Sequence, residues 1–222
     1  MFKHELLVAT TNKGKLSELR ALLAGLDVDV RGLTEVFASP PVVEEDGDTF
    51  EANALKKARE VAQASGMLTL ADDSGLEVDA LEGRPGVRSA RFAGEAATDD
   101  DNLEALLQAL RDQTPGSDGH YAARFRCVLA LWDPTVEGGE PVVVEGVCEG
   151  AIQQERRGHR GFGYDPVFVP RGGSLTLAEL DAAEKNTLSH RAKAMARMRL
   201  VLEKVLAARS ERVRRLLAAK GR

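Results

Sequence analysis

Two adjacent carboxylates, Asp72 and Asp73, follow a short apolar segment and precede Ser74 and Gly75. A carboxylate at the end of a buried strand can hold Mg²⁺ or accept a proton from a water that attacks phosphorus. We interpret residues 67–71 as the strand and residues 72–75 as a turn, which glycine permits. Because side chains alternate along a strand, one carboxylate is a candidate for chemistry and the other for support. A purely structural acidic turn is the alternative.

A polar segment joins the first predicted strand to the first predicted helix and contains Thr10, Thr11, Asn12, Lys13, Gly14 and Lys15. Hydroxyl groups, lysines and the free N–H groups of a helix N-terminus all suit phosphate oxygens. The segment is not a P-loop, because Ala9 stands where that motif has its first glycine and Leu16 where it has Ser or Thr. Phosphate binding and a simple helix cap both remain open for this segment alone.

Glu45 lies in an acidic segment, residues 44–48, which precedes a predicted helix containing Asn53 and Lys57. Carboxylates beside a turn can hold a hard cation such as Mg²⁺, although a charged surface loop has the same composition. Lys57 falls on the apolar stripe of the helix, and a buried ammonium group requires an anionic partner. Alternatively, the lysine side chain extends so that its ammonium group reaches solvent.

Two later segments carry groups suited to a purine base. The first contains Phe162, Gly163, Tyr164 and Asp165. Aromatic residues between glycines allow a planar base to stack while the backbone comes close. The second segment starts the last predicted helix and contains Lys185, His190 and Arg191. Taken singly, these segments also fit a loop with two core aromatics and a surface His–Arg pair.

The order of predicted elements favours an α/β fold. Residues 6–10 and 28–33 are predicted strands on either side of a leucine-rich helix, which makes a parallel βαβ unit. Residues 121–132 and 141–153 are longer strands around a turn, so part of the sheet is expected to be antiparallel. Asp48 and Glu51 predict a capping box that opens a helix ending near residue 65.

The composition is that of a soluble globular protein, with 43% apolar and 29% charged residues among 222. No apolar run approaches the roughly 18 residues of a membrane helix, and the first residues do not resemble a secretory signal. We therefore expect a cytoplasmic protein. Cys127 and Cys148 fit no metal or redox spacing and are expected to be buried thiols, and the four histidines lack zinc-site spacing.

Charge is unevenly distributed along the chain. Residues 185–222 contain 12 Lys and Arg against 2 Glu, a net charge of +10, while residues 1–184 carry −15. A basic segment can indicate nucleic-acid binding. Apolar residues recur through it at helical spacing, which favours a helix packed on the protein with a solvated basic face. Binding of nucleic acid is therefore not expected.

Six segments, taken together and in order, resemble the inosine/xanthosine triphosphate pyrophosphatase family across roughly residues 5–205. They are Thr-Asn-x-x-Lys, Glu-Asp-Gly-x-Thr-Phe-x-x-Asn-Ala, Ala-Asp-Asp-Ser-Gly-Leu, Pro-Gly-Val-x-Ser-Ala-Arg-Phe, Gly-Phe-Gly-Tyr-Asp-Pro and Ser-His-Arg. The resemblance implies Mg²⁺-dependent hydrolysis of ITP, dITP and XTP to the nucleoside monophosphate and pyrophosphate. It also implies a homodimer with an elongated mixed sheet and two lobes around a cleft. We assign residues 1–206 to this two-lobed domain and residues 207–222 to a basic extension.

The resemblance also implies a role for each candidate residue. Glu45 and Asp73 would bind Mg²⁺, and Asp73 would accept the proton of the attacking water. The expected triphosphate contacts are residues 10–15 and Lys57, and Asn53 and Ser74 would also touch the substrate. Phe162 would stack on the purine beside Gly163, Tyr164 and Asp165. The remaining base and phosphate contacts would come from Lys185, His190 and Arg191.

Two other functions remain as alternatives at this stage. The chain could hydrolyse other modified nucleotides, although the Gly-Phe-Gly-Tyr-Asp and Ser-His-Arg segments disfavour this. It could instead bind nucleotides or nucleic acid without catalysis, as its basic C-terminal segment suggests. The presence of both Glu45 and Asp73 favours chemistry.

Overall fold

The computed structural model describes residues 3–136 and 138–220. Within these residues the strands are β1 (His4–Ala9), β2 (Val28–Gly32), β3 (Thr69–Val78), β4 (Tyr121–Trp132), β5 (Val142–Ile152) and β6 (Phe168–Pro170). The α-helices are α1 (Lys13–Leu23), α2 (Leu33–Val36), α3 (Phe50–Ser65), α4 (Asp99–Leu110), α5 (Ala182–Leu188) and α6 (His190–Lys220). Short 3₁₀ segments cover Asp79–Leu81, Gly86–Arg91 and Asp165–Val167.

All these strands form one mixed sheet in the order β2-β1-β3-β4-β5-β6. Strand β1 is parallel to both β2 and β3, as a βαβ opening requires. The pairs β3–β4, β4–β5 and β5–β6 are antiparallel. The predicted α/β fold with a mixed sheet flanked by helices is therefore confirmed.

From Leu6 to Ala9, β1 is buried on both faces, which explains the apolar run there. Leu6 and Val8 belong to a core that includes residues of α1 and α6. Leu7 and Ala9 belong to a second core that includes residues of α3. The two-residue period of the strand thus divides its side chains between two layers of helices.

Strand β3 carries a polar interruption between two apolar cores. Leu70 belongs to the core beneath α1 and α6, and Leu76 belongs to a third core that includes residues of α4. Between them on the same face lie Asp72 and Ser74, both of which contact Arg191 of α6. The polar residues of β3 therefore lie between the core that includes α1 and α6 and the core that includes α4.

The predicted turn at residues 72–75 is wrong, because β3 continues through it. Every residue from Thr69 to Val78 pairs with β4, from Trp132 to Ala123, so ladder hydrogen bonds outweigh the local turn preference. Gly75 serves a close contact instead: a Cβ there would lie 2.4 Å from Ser89 Oγ. The glycine lets the Gly86–Arg91 segment approach the strand.

Two helix boundaries also differ from the predictions. The capping box of Asp48 and Glu51 is wrong, since Thr49 caps α3 by accepting from the N–H of Ala52. The last predicted helix is two helices, because the backbone of Ser189 is extended, with ψ at 158°. This break places Lys185 on α5, whereas His190 and Arg191 begin α6.

Helix α6 continues through the described part of the basic extension. Arg209 pairs with Asp133 at 2.6 Å, and Arg212 donates to the carbonyl of Thr135 at 2.9 Å. These contacts attach the start of the extension to the turn after β4. No helix among the described residues combines the length and apolarity needed to cross a membrane.

Candidate active site

The carboxylate of Asp72 is the centre of a buried cluster. Its Oδ1 lies 2.8 Å from Lys15 Nζ and accepts a hydrogen bond from Ser74 Oγ at 2.8 Å. Its Oδ2 accepts from Arg191 Nε at 2.8 Å and from Cys127 Sγ at 3.2 Å. Burial opposes ionisation, yet the charges of Arg191 and Lys15 hold the pKa of Asp72 well below its usual range. Asp72 thus joins α1, α6 and β4 to β3.

The carboxylate of Asp73 lies on the opposite face of β3, as strand alternation predicts. Asn53 Nδ2 donates to its Oδ2 at 3.2 Å, and Lys57 Nζ lies 3.1 Å from its Oδ1. Burial raises the pKa of Asp73 above its ordinary value, and the charge of Lys57 offsets only part of this effect. A carboxylate with a raised pKa is better matched to accepting a proton.

Lys57 is buried, as its place on the apolar stripe of α3 predicts, and it joins two carboxylates. Its Nζ lies 2.8 Å from Glu45 Oε1 and donates to the carbonyl of Asp72 at 2.8 Å. Arg91 donates to the carbonyl of Glu45 at 2.7 Å and so holds the acidic loop against the Gly86–Arg91 segment. Burial works against ionisation of Glu45, but the charge of Lys57 lowers its pKa overall.

Glu45 and Asp73 supply carboxylate oxygens, which are ligands that Mg²⁺ prefers. Both carboxylates pair with one ammonium group, that of Lys57, within 3.1 Å. Mg²⁺ is commonly bound by one or two carboxylates while phosphate oxygens and waters complete its shell. Among the described residues no group of three or more His, Cys, Asp or Glu is placed to hold a metal. Two carboxylates by themselves therefore form only part of a Mg²⁺ site, and the remaining ligands would come from other molecules.

The predicted phosphate segment forms the N-terminus of α1. Asn12 is the N-cap and accepts from the N–H of Lys15 at 2.9 Å, while Thr10 Oγ1 accepts from the N–H of Asn12 at 3.2 Å. Thr11 and Lys13 are exposed beside them. The Phe162 ring covers Gly14, since a Cβ there would lie 2.6 Å from Cδ1 of the ring. The phosphate segment and the aromatic loop therefore meet.

The aromatic loop is held by Asp165. The N–H of Phe162 donates to Asp165 Oδ2 at 3.0 Å, and Lys185 Nζ donates to the same oxygen at 2.6 Å. Burial raises the pKa of Asp165, against the effect of Lys185. Lys185 Nζ also lies 4.9 Å from the centre of the Phe162 ring, a cation–π distance. Asp165 is thus a structural anchor for both residues expected to contact the base.

Tyr164 and Gly163 also use their hydrogen-bonding groups within the protein. The hydroxyl of Tyr164 donates to the carbonyl of Ser89 at 2.8 Å, and its ring is buried. The N–H of Gly163 donates to Asp99 Oδ2 at 3.0 Å. These two bonds tie the aromatic loop to the Gly86–Arg91 segment and to the start of α4.

His190 is buried with one ring nitrogen unsatisfied. Its ring stacks on Phe125 at 4.7 Å between centroids, and Nδ1 has no hydrogen-bond partner. Burial and the neighbouring charge of Arg191 keep the pKa of His190 well below its usual value, so the ring is neutral. A buried nitrogen without a partner is rare in folded proteins, so this ring is distinctive among the predicted site residues.

Glu18 was not predicted from the sequence, although it contacts two predicted site residues. Its carboxylate lies 2.7 Å from Lys185 Nζ and also pairs with Arg191 Nη1. The available signal is its position three residues after Lys15 on α1, which places both side chains on one side of the helix. Glu18 therefore couples the phosphate segment to the residues expected at the base.

Most of the predicted residues form two groups on opposite faces of β3, while Thr10, Thr11, Lys13, Gly14 and Lys185 lie outside both. A cavity of about 80 Å³ brings together Asn12, Lys15, Ser74, Phe162, Gly163, Tyr164, Asp165, His190 and Arg191. The other face carries Glu45, Asn53, Lys57 and Asp73. The backbone of Asp72 links the groups, because its carbonyl accepts from Lys57 while its carboxylate binds Lys15 and Arg191. The cavity group thus combines residues of the phosphate segment and the aromatic loop, and the other group holds the carboxylates expected to carry the chemistry.

A family model of the Ham1 family matches residues 6–201. The chain belongs to the Ham1 family. It is 49% identical over 191 residues to the dITP/XTP pyrophosphatase of Geobacter sulfurreducens, which covers 86% of this chain and 92% of that protein. It is 44% identical over 199 residues to the dITP/XTP pyrophosphatase of Bacillus subtilis, covering 90% and 97%. The resemblance drawn from the six segments is thereby confirmed.

Solved structures of Ham1 proteins share the fold. The HAM1 protein from Coxiella burnetii is 42% identical with a TM-score of 0.77, and the match covers 90% of this chain and 99% of that one. A nucleoside-triphosphatase, dITP/XTP pyrophosphatase, from Mycobacterium abscessus is 46% identical with a TM-score of 0.68, covering 87% and 98%. The match spans nearly the whole of each relative, so the Ham1 sheet and its helices account for most of the chain.

Proposed function

We propose that this Ham1 protein hydrolyses the non-canonical purine nucleotides dITP, ITP and XTP to the nucleoside monophosphate and pyrophosphate. The observation that carries the proposal is that two adjacent carboxylates, Asp72 and Asp73, have different partners and pKa shifts of opposite direction. Asp72 is neutralised by Lys15 and Arg191, whereas Asp73 lies beside Glu45 and Lys57 with a raised pKa. The relatives named dITP/XTP pyrophosphatase supply the substrate class.

In the proposed reaction, Asp73 accepts a proton from the water that attacks the α-phosphate. Asn53 holds its Oδ2 and Lys57 holds its Oδ1, so the carboxylate is fixed in orientation. Its raised pKa improves the match to the water's proton. Pyrophosphate leaves as the bond between the α and β phosphates breaks.

Charge on the phosphates is balanced by groups of this chain and by Mg²⁺. Glu45 and Asp73 would hold the ion, which when bound neutralises phosphate oxygens and stabilises the leaving group. Lys15 and the N-terminal N–H groups of α1 bind the phosphate chain. Lys57 keeps the two carboxylates ionised and close together.

Base selection is proposed to depend on His190 more than on Arg191. The guanidinium of Arg191 already donates to Asp72, Glu18 and Ser74, whereas Nδ1 of His190 is unsatisfied. The His190 residue lines the cavity, and as an N–H donor its ring would pair with the 6-oxo group of hypoxanthine or xanthine and meet another donor in adenine. Sites built on such hydrogen bonds can discriminate by on the order of 10⁴-fold. Phe162 stacks on the purine.

The function is tested by incubating purified protein with dITP and Mg²⁺ and identifying the released phosphate. Pyrophosphate and dIMP are expected, with dATP hydrolysed far more slowly. Removal of divalent ions by EDTA should abolish hydrolysis, and added Mg²⁺ should restore it. Release of orthophosphate would exclude the reaction. Salt-dependent DNA binding without hydrolysis would favour the nucleic-acid alternative.

The proposal also includes a cytoplasmic homodimer whose two lobes, within residues 1–206, enclose the substrate. Light scattering coupled to gel filtration should give twice the mass of one chain. Cell fractionation should recover dITP hydrolysis with cytoplasmic marker enzymes. A monomer at micromolar concentration would contradict the homodimer. Activity confined to membranes would contradict the cytoplasmic location.

A further inference from the structure

Cys127 contacts the centre of the proposed substrate site. It lies on β4 opposite Ser74, is fully buried, and its Sγ is 3.2 Å from Asp72 Oδ2. Burial and the negative charge of Asp72 raise the pKa of Cys127 well above the ordinary thiol value. The sulfur is therefore protonated and acts as a donor to the carboxylate.

The thiol completes a symmetrical set of donors around Asp72. Lys15 and Ser74 serve Oδ1, and Arg191 and Cys127 serve Oδ2. Lys15 on α1 and Arg191 on α6 belong to the segments expected to bind substrate, whereas Cys127 lies on β4 of the sheet. Without the thiol, Oδ2 would keep Arg191 alone among these donors, and the carboxylate could rotate about its bond to Cβ.

We propose that Cys127 is a positioning residue for substrate binding. Its S–H bond to Asp72 fixes the orientation of the carboxylate, and the carboxylate in turn aligns Lys15 and Arg191. The inference rests on the proposed function for its substrate. It assigns a role to a thiol whose sequence spacing indicates neither metal nor redox chemistry.

Two replacements of Cys127 distinguish a role in orienting Asp72 from a role in filling space. Cys127→Ala should raise the KM for dITP about threefold to tenfold, the range expected for loss of one modest hydrogen bond. The kcat should stay within about twofold of wild type, because Asp73 lies on the other face of β3. Cys127→Ser retains a donor and should return KM to within about twofold of wild type.

Cys148 offers a matched control. It is also buried and free, but it lies on β5 and its nearest hydrogen-bonding contact is the carbonyl of Glu149 at 4.0 Å. Cys148→Ala removes the same atom from a buried site and should lower the melting temperature without changing KM. Equal KM values in Cys127→Ala and Cys148→Ala would overturn the proposal, as would Cys127→Ser behaving like Cys127→Ala.

A spectroscopic measurement tests the bond without any substrate. The chain has two cysteines, so each alanine variant retains a single thiol. The S–H stretching band of Cys127, seen in the Cys148→Ala protein, should lie at lower frequency than the band of Cys148 in the Cys127→Ala protein. Coincident bands would exclude the hydrogen bond. If wild type fails to hydrolyse dITP while the bands differ, the proposed function fails and the hydrogen bond stands.

Discussion

Asp72 and Asp73 are adjacent in the chain, yet their carboxylates lie on opposite faces of β3 and bind different cations. Asp72 binds Lys15 and Arg191, and Asp73 binds Lys57. The carboxylate of Asp72 has a lowered pKa and links neighbouring elements to β3, whereas the carboxylate of Asp73 has a raised pKa and lies beside Glu45. Substitutions at the two positions should therefore fail in different ways.

Asp73→Asn should lower kcat for dITP by about 10² or more, since an amide cannot act as the proton acceptor. Folding should be little affected, because Lys57 keeps Glu45 as a partner and burial already disfavours the ionised form of Asp73. Pyrophosphate release at saturating dITP and Mg²⁺ measures the effect, with circular dichroism as the control for folding. Turnover equal to that of wild type would refute the role of Asp73 as general base.

Asp72→Asn should instead destabilise the fold, because it removes the carboxylate from buried Arg191. Breaking a buried ion pair typically costs about 3 to 5 kcal/mol of unfolding free energy. Urea denaturation of wild type and Asp72→Asn measures the difference. A stable variant that loses only turnover would show that Asp72, and not Asp73, carries the chemistry.

The stabilisation supplied by Asp72 should depend on pH. The pKa of this carboxyl is lowered in the folded protein, so it favours folding above the unfolded value of about 3.9 and loses this effect as pH falls. The gap in unfolding free energy between wild type and Asp72→Asn should therefore be constant near neutral pH and shrink in acid. A gap that widens as pH falls would contradict the charge-based explanation.

Lys57 should determine the pH at which kcat falls on the acid side of its pH profile, the acid limb. Hydrolysis requires ionised Asp73, whose pKa is raised by burial and restrained by Lys57, so kcat should fall on acidification above the ordinary aspartate range. Lys57→Gln removes the favourable charge and should move this limb to higher pH. Lys56→Gln is the matched control, because Lys56 pairs with Asp46 at 2.7 Å instead. Identical limbs in all three proteins would disprove the coupling.

Gly75→Ala should destabilise the protein although alanine suits a strand no worse than glycine. The added Cβ would lie 2.4 Å from Ser89 Oγ and 2.5 Å from the carbonyl of Gly86, and overpacking of this kind costs about 1 to 3 kcal/mol. Thermal unfolding measures the loss. Gly173→Ala is the control, with its nearest neighbouring atom at 3.2 Å. Equal melting temperatures for both variants would show that the Gly86–Arg91 segment moves aside easily.

Removal of residues 207–222 should leave hydrolysis of dITP nearly intact. The family match ends at residue 201, and the extension is attached through polar contacts that include the partly exposed Arg209–Asp133 pair and the bond from Arg212 to Thr135. Such pairs contribute about 0 to 1 kcal/mol, so the melting temperature should fall slightly while kcat/KM stays within about twofold. Loss of activity beyond tenfold in a folded truncated protein would place the extension in the catalytic unit.

Local patterns in the sequence were sufficient for several features of the site. Strand alternation separated Asp72 from Asp73, and the helical period placed Lys57 on the buried stripe of α3, because both follow from fixed backbone geometry. The same local reasoning misread residues 72–75 as a turn. Aspartate and glycine favour turns in isolation, but pairing with β4 outweighs that preference.

The sequence by itself determined the α/β fold class, the order of the candidate segments and their likeness to one family of pyrophosphatases. Only the tertiary structure decided which side chains meet: Arg191 with Asp72, Glu18 with Lys185, and Cys127 with the same carboxylate as Arg191. The contact between Arg191 and Asp72 spans 119 residues. Spacing along a chain reports which face a residue occupies within its own element, whereas packing between elements brings distant charges together and sets their pKa values.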